Sequence, residues 1–418
     1  MSAETVTIER LAAGGDGVGH LADGVTVFVP RAAPGDVVRL TGIVRRRRHA
    51  FARVGELVAA GEGRVAPRCA HFRDDGCGGC QWQHLASEAQ RAAKARLVGD
   101  ALRRIGKLAV NDPRLMESPD AFGYRGTITL TVAGRGGGRF AGFHREGGAE
   151  VFPLERCEIA AEPLNALWAA LRPALRALPE GDDVRLALRA TPEGALHVMV
   201  RGGDTAWMGA PALDAAARAA GFAPTVWWQP AGGAVRRMAG PEADAAAAAF
   251  EQVNAAVAAA LREDVLASLP AVGRVLDLYA GAGAVGLALA ARGCDVATVE
   301  VDARAVRATK ARAAERGLRL RAVAAKVEDV LAGLLPADAV VANPPRTGLE
   351  AAASAALAAA PPARLVYVSC DPATLARDLA RLGATAARLT ALRAYDMFPQ
   401  TSHVETLAVL DREPEPAR

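Results

Sequence analysis

The sequence predicts an α/β protein in three parts: a small β-barrel over residues 1–62, a central α+β region over 63–260, and a C-terminal Rossmann-like domain over 261–418. Three observations predict it. Short strand-type runs recur at even spacing through the first 60 residues, which suits a small barrel. The stretch Val275-Leu-Asp-Leu-Tyr-Ala-Gly-Ala-Gly-Ala-Val-Gly286 reads as a buried strand, a glycine turn and the start of a helix. From Val272 onward strand and helix patterns alternate to the end, as a parallel sheet requires.

The chain has 418 residues, more than one ordinary core can serve. It is 51% hydrophobic and 23% charged, a globular balance. No apolar run reaches the roughly 20 residues that cross a bilayer, and the first residues lack a basic region followed by an apolar one. The expectation is a cytoplasmic protein, monomeric by default, with no membrane partner. In that compartment six cysteines read as metal ligands or catalysts before disulfides. A net charge of +4 says little about partners, but Arg45-Arg46-Arg47-Arg48-His49 is a compact basic run for which phosphate is the obvious ligand. Taken alone, the run also suits an edge strand guarded by charge.

In the barrel region, Gly14–Gly19, Asp23-Gly24 and Ala33-Pro-Gly-Asp36 separate the strands Val25–Val29 and Asp36–Val44. A helix is expected from Ser87 to about Ile105. Residues 120–235 read as mixed strand and helix, with a hairpin of Thr127–Val132 and Arg139–Arg145 around the glycines at 134–138. The alanine-rich stretch from Glu242 to Arg262 predicts one long helix.

Cys69, Cys77 and Cys80 are clustered, and Cys157 follows far downstream. Two cysteines separated by two residues can face one metal, and Gly76, Gly78 and Gly79 let backbone amides approach sulfur. Four thiolates suit zinc or an iron–sulfur cluster. Three clustered cysteines and one remote one is the commoner layout for [4Fe–4S]. Cys294 reads as a core residue.

The glycine turn has Asp277 before it, and the next strand ends in Glu300 at about the distance of a ribose-binding carboxylate. The loop carries Gly281 and Gly283 but no third glycine in the dinucleotide register. S-adenosylmethionine fits this better than NAD. A further strand leads to Asn343-Pro-Pro-Arg346, where two prolines impose a fixed, non-helical path.

The most informative stretch is Leu365-Val-Tyr-Val-Ser-Cys370-Asp-Pro. It delivers a cysteine to the C-terminal end of a strand, where ligands bind in open α/β sheets. A buried free cysteine is the plainer alternative. Glu405 opens the final strand and is placed to face Cys370 across the sheet edge; a solvated glutamate at a strand end is equally compatible with the residues alone.

Together these motifs resemble the bacterial RNA 5-methyluridine methyltransferases, in the branch with an N-terminal TRAM domain and a [4Fe–4S] cluster, typified by the 23S rRNA uracil-5 methyltransferases. The resemblance spans nearly the whole chain. It rests on the Ser369-Cys-Asp-Pro-Ala-Thr-Leu block, the spaced cysteines, Phe250-Glu-Gln252-Val-Asn254, His403-Val-Glu405, Gly123-Tyr-Arg125 and Phe143-His-Arg145. It implies a class I methyltransferase domain, an OB-like TRAM barrel and an iron–sulfur site in the central domain. It implies Cys370 as nucleophile and Glu405 as general base. It places Gln252, Tyr279, Ala284, Glu300 and Asn343 at or near the S-adenosylmethionine site, and Cys69, Cys77, Cys80 and Cys157 as cluster ligands. The chain departs from the pattern in a longer first cysteine gap, in Asn343 where aspartate is frequent, in Ala284 where a polar residue is frequent, and in Lys326 near a position that is often acidic. The implied partner is RNA, most simply 23S rRNA, with tRNA as the alternative substrate. A radical enzyme is disfavoured by the seven-residue cysteine gap and the separate cofactor loop. A catalytically degenerate RNA-binding protein is disfavoured by the presence of both Cys370 and Glu405.

Overall fold

The computed structural model describes residues 4–134, 138–203, 206–243, 252–385 and 388–412. The chain forms two compact units. One comprises Met1–Gln90, Asp120–Ala255 and Phe398–Ser402; the other comprises Arg91–Pro119, Ala256–Met397 and His403–Arg418.

The first unit begins with six strands: β1 (Thr5–Thr7), β2 (Arg10–Leu11), β3 (Gly17–His20), β4 (Thr26–Val29), β5 (Val37–Arg45) and β6 (Ala50–Ala59). Their order is β1-β5-β6-β4-β3-β2. The segment from β1 to β2 closes this sheet. Its first half pairs with β5, and then the Glu9 amide donates to the Val18 carbonyl of β3 at 2.8 Å. One bent strand thus joins both edges, which leaves a barrel with few free edge groups. Val6, Ile8, Val27, Val29, Val38 and Ala50 fill its interior.

Next along the chain come the short helix α1 (Ala70–Arg73) of the first unit, helix α2 (Ser87–Arg104), most of which belongs to the second, and the short strand β7 (Arg114–Met116) of the second. The rest of the first unit is a seven-stranded sheet of β8 (Thr127–Ala133), β9 (Phe140–His144), β10 (Val151–Pro153), β11 (Arg185–Ala190), β12 (Leu196–Arg201), β13 (Thr225–Gln229) and β14 (Arg236–Ala239). The expected β8–β9 hairpin is present and antiparallel. Helices α3 (Glu162–Leu171) and α4 (Ala210–Ala219) bury Leu164, Leu167, Trp168 and Leu213 in the core of this sheet.

The long helix expected from Glu242 to Arg262 is not formed as such. Residues 244–251 lie outside the described set, Gln252–Asn254 are not helical, and helix α5 runs Ala255–Ala267. The reason is lateral hydrogen bonding. Gly126 donates to the Val253 carbonyl at 2.8 Å, and Asn254 bridges Arg125. A backbone tied to a neighbouring strand cannot also close helical turns, whatever its alanine content.

The second unit is a doubly wound domain. Its strands and helices alternate as β15 (Arg274–Leu278), α6 (Ala284–Ala291), β16 (Asp295–Glu300), α7 (Ala303–Glu315), β17 (Arg321–Ala324), α8 (Val327–Leu334), β18 (Ala339–Ala342), α9 (Ala351–Ala359), β19 (Arg364–Ser369), α10 (Pro372–Arg381), β20 (Leu389–Tyr395) and β21 (Glu405–Asp411). The sheet order is β17-β16-β15-β18-β19-β21-β20-β7. The five strands from β17 to β19 are parallel, as expected. The expectation of a parallel sheet to the end is corrected: β21 runs antiparallel to both β19 and β20. A parallel pairing of β20 with β21 would need a crossover of a dozen or more residues, and residues 396–404 are too few.

Candidate active site

Cys370 stands at the end of β19, between the strand and α10. The turn is built locally. Asp371 caps α10, its carboxylate accepting from the Thr374 amide at 2.8 Å, and Pro372 supplies the first helical φ. Ser369 pairs with Thr406 across the antiparallel β19–β21 ladder. One step beyond that pair, the register sets Cys370 beside Glu405. Glu405 is 2% exposed, and Cys370 is half-buried.

The electrostatics couple these two groups to a third. Burial pushes the Glu405 carboxyl up to about 7, partly offset by the Arg346 guanidinium. Burial also raises the Cys370 thiol, and the Glu405 charge adds to that; Arg346 opposes both by its charge and by a hydrogen bond to the thiol. The arrangement is a thiol, a buried carboxyl poised near neutrality, and a cation that favours the thiolate.

Arg346 was not singled out from sequence, although its place directly after Pro344-Pro345 was visible. Its loop is pinned to α10. The Thr374 hydroxyl donates to the Arg346 carbonyl at 3.0 Å, and Arg377 donates to the Thr347 carbonyl at 2.7 Å. Asp378, fully buried, accepts from the Leu349 amide and from the Tyr367 hydroxyl, both at 2.7 Å. Gly348 is required there: its φ is +78°, and a Cβ would lie 2.3 Å from the Asp378 carboxylate. Asp378 was also missed from sequence, because nothing local distinguishes it from a solvated helix aspartate.

The glycine loop follows β15. Tyr279 has a left-handed φ of 58°, and Gly283, at 73°, opens α6. A non-glycine residue in that region is uncommon and held by its surroundings. Both oxygens of Glu300 hold backbone, one accepting from Gly281 and the other from Asp302, each at 2.9 Å. Asp277 is buried behind the turn, accepts from the Gly286 amide at 2.9 Å, and is pushed by burial to about 7. It braces the loop. Ala284, the first residue of α6, and Asn343, directly after β18, are exposed. The Tyr279 hydroxyl is buried without a hydrogen-bond partner among the described residues, and burial lifts it to about 12. A buried hydroxyl without a partner, on the residue that leads into the glycine loop, fits a small polar ligand. Gln252 lies in the first unit, apart from these residues along the chain.

The four expected cysteine ligands gather in the first unit. Cys69 and Cys80 are buried with Phe72, Tyr124 and Ile159, and Cys157 packs against them. Burial first, then the charges of the other cysteines, push Cys77 to about 11 and Cys80 to about 12. Gly79 donates to the Cys77 sulfur at 3.4 Å, and Asn165 fixes the Cys157 backbone with two bonds of 3.0 Å. Among the described residues no group of three or more His, Cys, Asp or Glu side chains stands in a metal-holding arrangement. The donor set nevertheless fits a cluster: four soft ligands, an apolar wall and an amide aimed at sulfur. Cys294 is a core residue whose thiol lies 3.4 Å from the Ala271 carbonyl.

An open sheet with a glycine loop after its first strand and a further residue pair at the strand ends defines a class I methyltransferase domain. Comparison with known proteins agrees and goes further. The sequence matches the methyltransferase small domain over residues 250–365, the tRNA (uracil-5-)-methyltransferase family over 321–413 and the TRAM domain over 2–41. An uncharacterized RNA methyltransferase of Thermosynechococcus vestitus is 36% identical, covering 96% of this chain and 96% of that protein. The 23S rRNA (uracil(1939)-C(5))-methyltransferase RlmD of Chromohalobacter salexigens is 35% identical, covering 99% of this chain and 90% of its own. In fold, the chain is similar to Pyrococcus abyssi tRNA (uracil-54, C5)-methyltransferase in complex with S-adenosyl-L-homocysteine, with a TM-score of 0.75 and 23% identity over 97% of this chain and 99% of that one. The chain belongs to the RNA uracil-5-methyltransferase family and is an S-adenosylmethionine-dependent enzyme of the class I fold.

Proposed function

We propose that the protein methylates carbon 5 of a uridine in 23S rRNA, with Cys370 as nucleophile and Glu405 as base. The observation that carries this reading is the placement of Cys370 beside Glu405 at the sheet edge, with Arg346 on the thiol. The nearly full-length similarity to RlmD supports the ribosomal substrate. Action on ribosomal RNA would take place in the cytoplasm.

Carbon 5 of uracil is a weak nucleophile. Addition of the Cys370 thiolate to carbon 6 breaks the 5,6 double bond and moves its electron pair into an enolate. Burial raises the thiol, and Arg346 opposes that rise and so favours the thiolate. When bound, S-adenosylmethionine would supply an electrophilic methyl on sulfonium sulfur; as carbon 5 takes it, the carbon–sulfur bond breaks and its electron pair leaves with the thioether S-adenosylhomocysteine. Once carbon 5 carries the methyl, the Glu405 carboxylate takes the proton from that carbon. The electron pair re-forms the double bond and expels the Cys370 thiolate. A carboxyl near 7 is matched to this task, since it accepts a proton near neutrality and returns it to solvent. Electrons balance through addition and elimination.

Gly281, Gly283, Ala284, Tyr279, Glu300 and Asn343 are proposed to line the cofactor site, with Asp277 bracing it; Gln252 is proposed as a further cofactor-binding residue. Cys69, Cys77, Cys80 and Cys157 are proposed to hold a [4Fe–4S] cluster. It would supply positive charge to thiols that burial keeps protonated, and would brace that part of the unit. The barrel, residues 1–62, and the central region, 63–260, are proposed to hold the RNA, and residues 261–418 to perform the transfer.

The test is methyl transfer from labelled S-adenosylmethionine to total RNA lacking 5-methyluridine, with wild type and Cys370→Ala in parallel. Label recovered as 5-methyluridine in large-subunit RNA, and absent with the variant, is expected. Label in tRNA would keep the chemistry and change the substrate. No label in any RNA would sink the proposal.

A further inference from the structure

The outer wall of the barrel carries an aromatic group that its core does not use. On the β4–β6 ladder Phe28 pairs in register with Phe51, and the preceding pair, Val27 and Ala50, is fully buried. Side chains alternate across a strand, so Phe28 and Phe51 face outward. Phe51 is 42% exposed. The two ring centroids lie 5.7 Å apart, and His49 stands edge-on to both, 5.7 Å from Phe28 and 5.0 Å from Phe51. Val44, opposite Phe51 on β5 and 48% exposed, extends the apolar row.

The β5–β6 turn adjoins this group. The Arg46 amide donates to the His49 carbonyl at 2.7 Å, which projects the arginines from the barrel. Arg45 is paired with Asp23 at 2.6 Å. Arg46, Arg47 and Arg48 are exposed, and among the described residues none is paired with a carboxylate. Charge that guards a strand edge accounts for the arginines alone, since such a device gains nothing from exposed aromatic rings beside it. Planar apolar faces next to unpaired cations match a ligand with flat bases on an anionic backbone. An exposed π-face accepts any base, and the phosphates on either side need cations within a few ångströms.

We propose that Phe28, His49 and Phe51 form a stacking platform for one or two unpaired bases of single-stranded RNA, with Arg46, Arg47 and Arg48 holding the flanking phosphates. A duplex hides its base faces and reaches only the arginines. The platform is therefore selective for unpaired segments and tolerant of their sequence. This proposal rests on the RNA reading above and specifies where the barrel grips its substrate.

The test uses full-length protein and a short labelled single-stranded oligoribonucleotide, with the same strand in a blunt duplex as comparison, read by fluorescence anisotropy across a salt series. Phe51→Ala is expected to weaken single-strand binding by about 5- to 100-fold, with the salt slope unchanged and duplex binding little affected. The double variant Arg47→Ala/Arg48→Ala is expected to weaken both and to lower the log–log salt slope by about 1.4 on the single strand. Phe51→Trp should retain binding, and its fluorescence should be quenched by RNA. An unchanged thermal midpoint in each variant separates lost binding from lost fold. Single-strand affinity equal to wild type in a folded Phe51→Ala would overturn the proposal. Equal losses on single strand and duplex would also do so, as would a loss as large toward polyglutamate, which would assign the patch to an acidic protein partner. Wild-type protein that methylates ribosomal RNA while Phe51→Ala binds normally refutes the platform alone. Wild-type protein that stacks the oligonucleotide but methylates no RNA refutes the proposed reaction alone.

Discussion

The Tyr367 hydroxyl donates to Asp378 at 2.7 Å, and the same carboxylate oxygen accepts the Leu349 amide at 2.7 Å. Tyr367 lies on the strand that delivers Cys370, Asp378 on the helix after it, and Leu349 on the loop that carries Arg346. One buried carboxylate therefore joins the three segments around Cys370.

Removal of Asp378 is expected to be costly. Asp378→Ala leaves a buried amide and a buried phenol without an acceptor, a loss of roughly 2–4 kcal/mol in urea unfolding. Tyr367→Phe removes one donor and leaves Leu349 satisfied, so it should cost about 1 kcal/mol. Equal losses in the two variants would refute the shared-acceptor role.

Glu405 makes stability depend on pH. Its folded value, about 7, lies above the ordinary 4.5, so the native state binds more protons than the unfolded chain between those values. Stability from this group is full below about 4.5 and is lost as pH rises through about 7, by roughly 3 kcal/mol for a shift of this size. Asp277, also near 7, adds a decline of the same sign. In Glu405→Gln the fall in unfolding free energy from pH 5 to 8 should be shallower than in wild type. A parallel pair of curves would contradict the raised carboxyl.

Reactivity of the thiol reports the same site. Glu405 raises Cys370 and Arg346 lowers it. Iodoacetamide labelling of Cys370 at pH 7.5 should be faster in Glu405→Gln and slower in Arg346→Ala, by several-fold each. Peptide mass mapping distinguishes Cys370 from the other five cysteines. Labelling rates that move the other way would reverse the assigned roles.

The proposed cluster predicts about four irons and four sulfides per chain after anaerobic purification. Cys80→Ala should lose most of the iron and lower the thermal midpoint, whereas Cys294→Ala should keep the metal. Iron retained in full by Cys80→Ala would exclude that ligand set.

Much of the molecule was legible along the chain. The glycine turn between β15 and α6, the Asp371-Pro372 helix start and the alternation of the parallel strands are local events. They follow from sterics and periodicity within a few residues. The same locality made the alanine-rich stretch read as one helix, because propensity cannot register that Gly126 and Arg125 claim the backbone of Val253 and Asn254.

The sequence by itself therefore determined most element types and the glycine loop, and it singled out Cys370 at a strand end, since each rests on neighbours in the chain. The tertiary structure alone decided the antiparallel insertion of β21 between β19 and β20, the approach of Arg346 to Cys370, the role of Asp378 and the value of Glu405. It also decided the buried Lys94–Asp396 pair, 2.6 Å apart across 302 positions. These depend on burial and on groups distant in sequence. A desolvated charge takes its properties from whatever folding brings beside it.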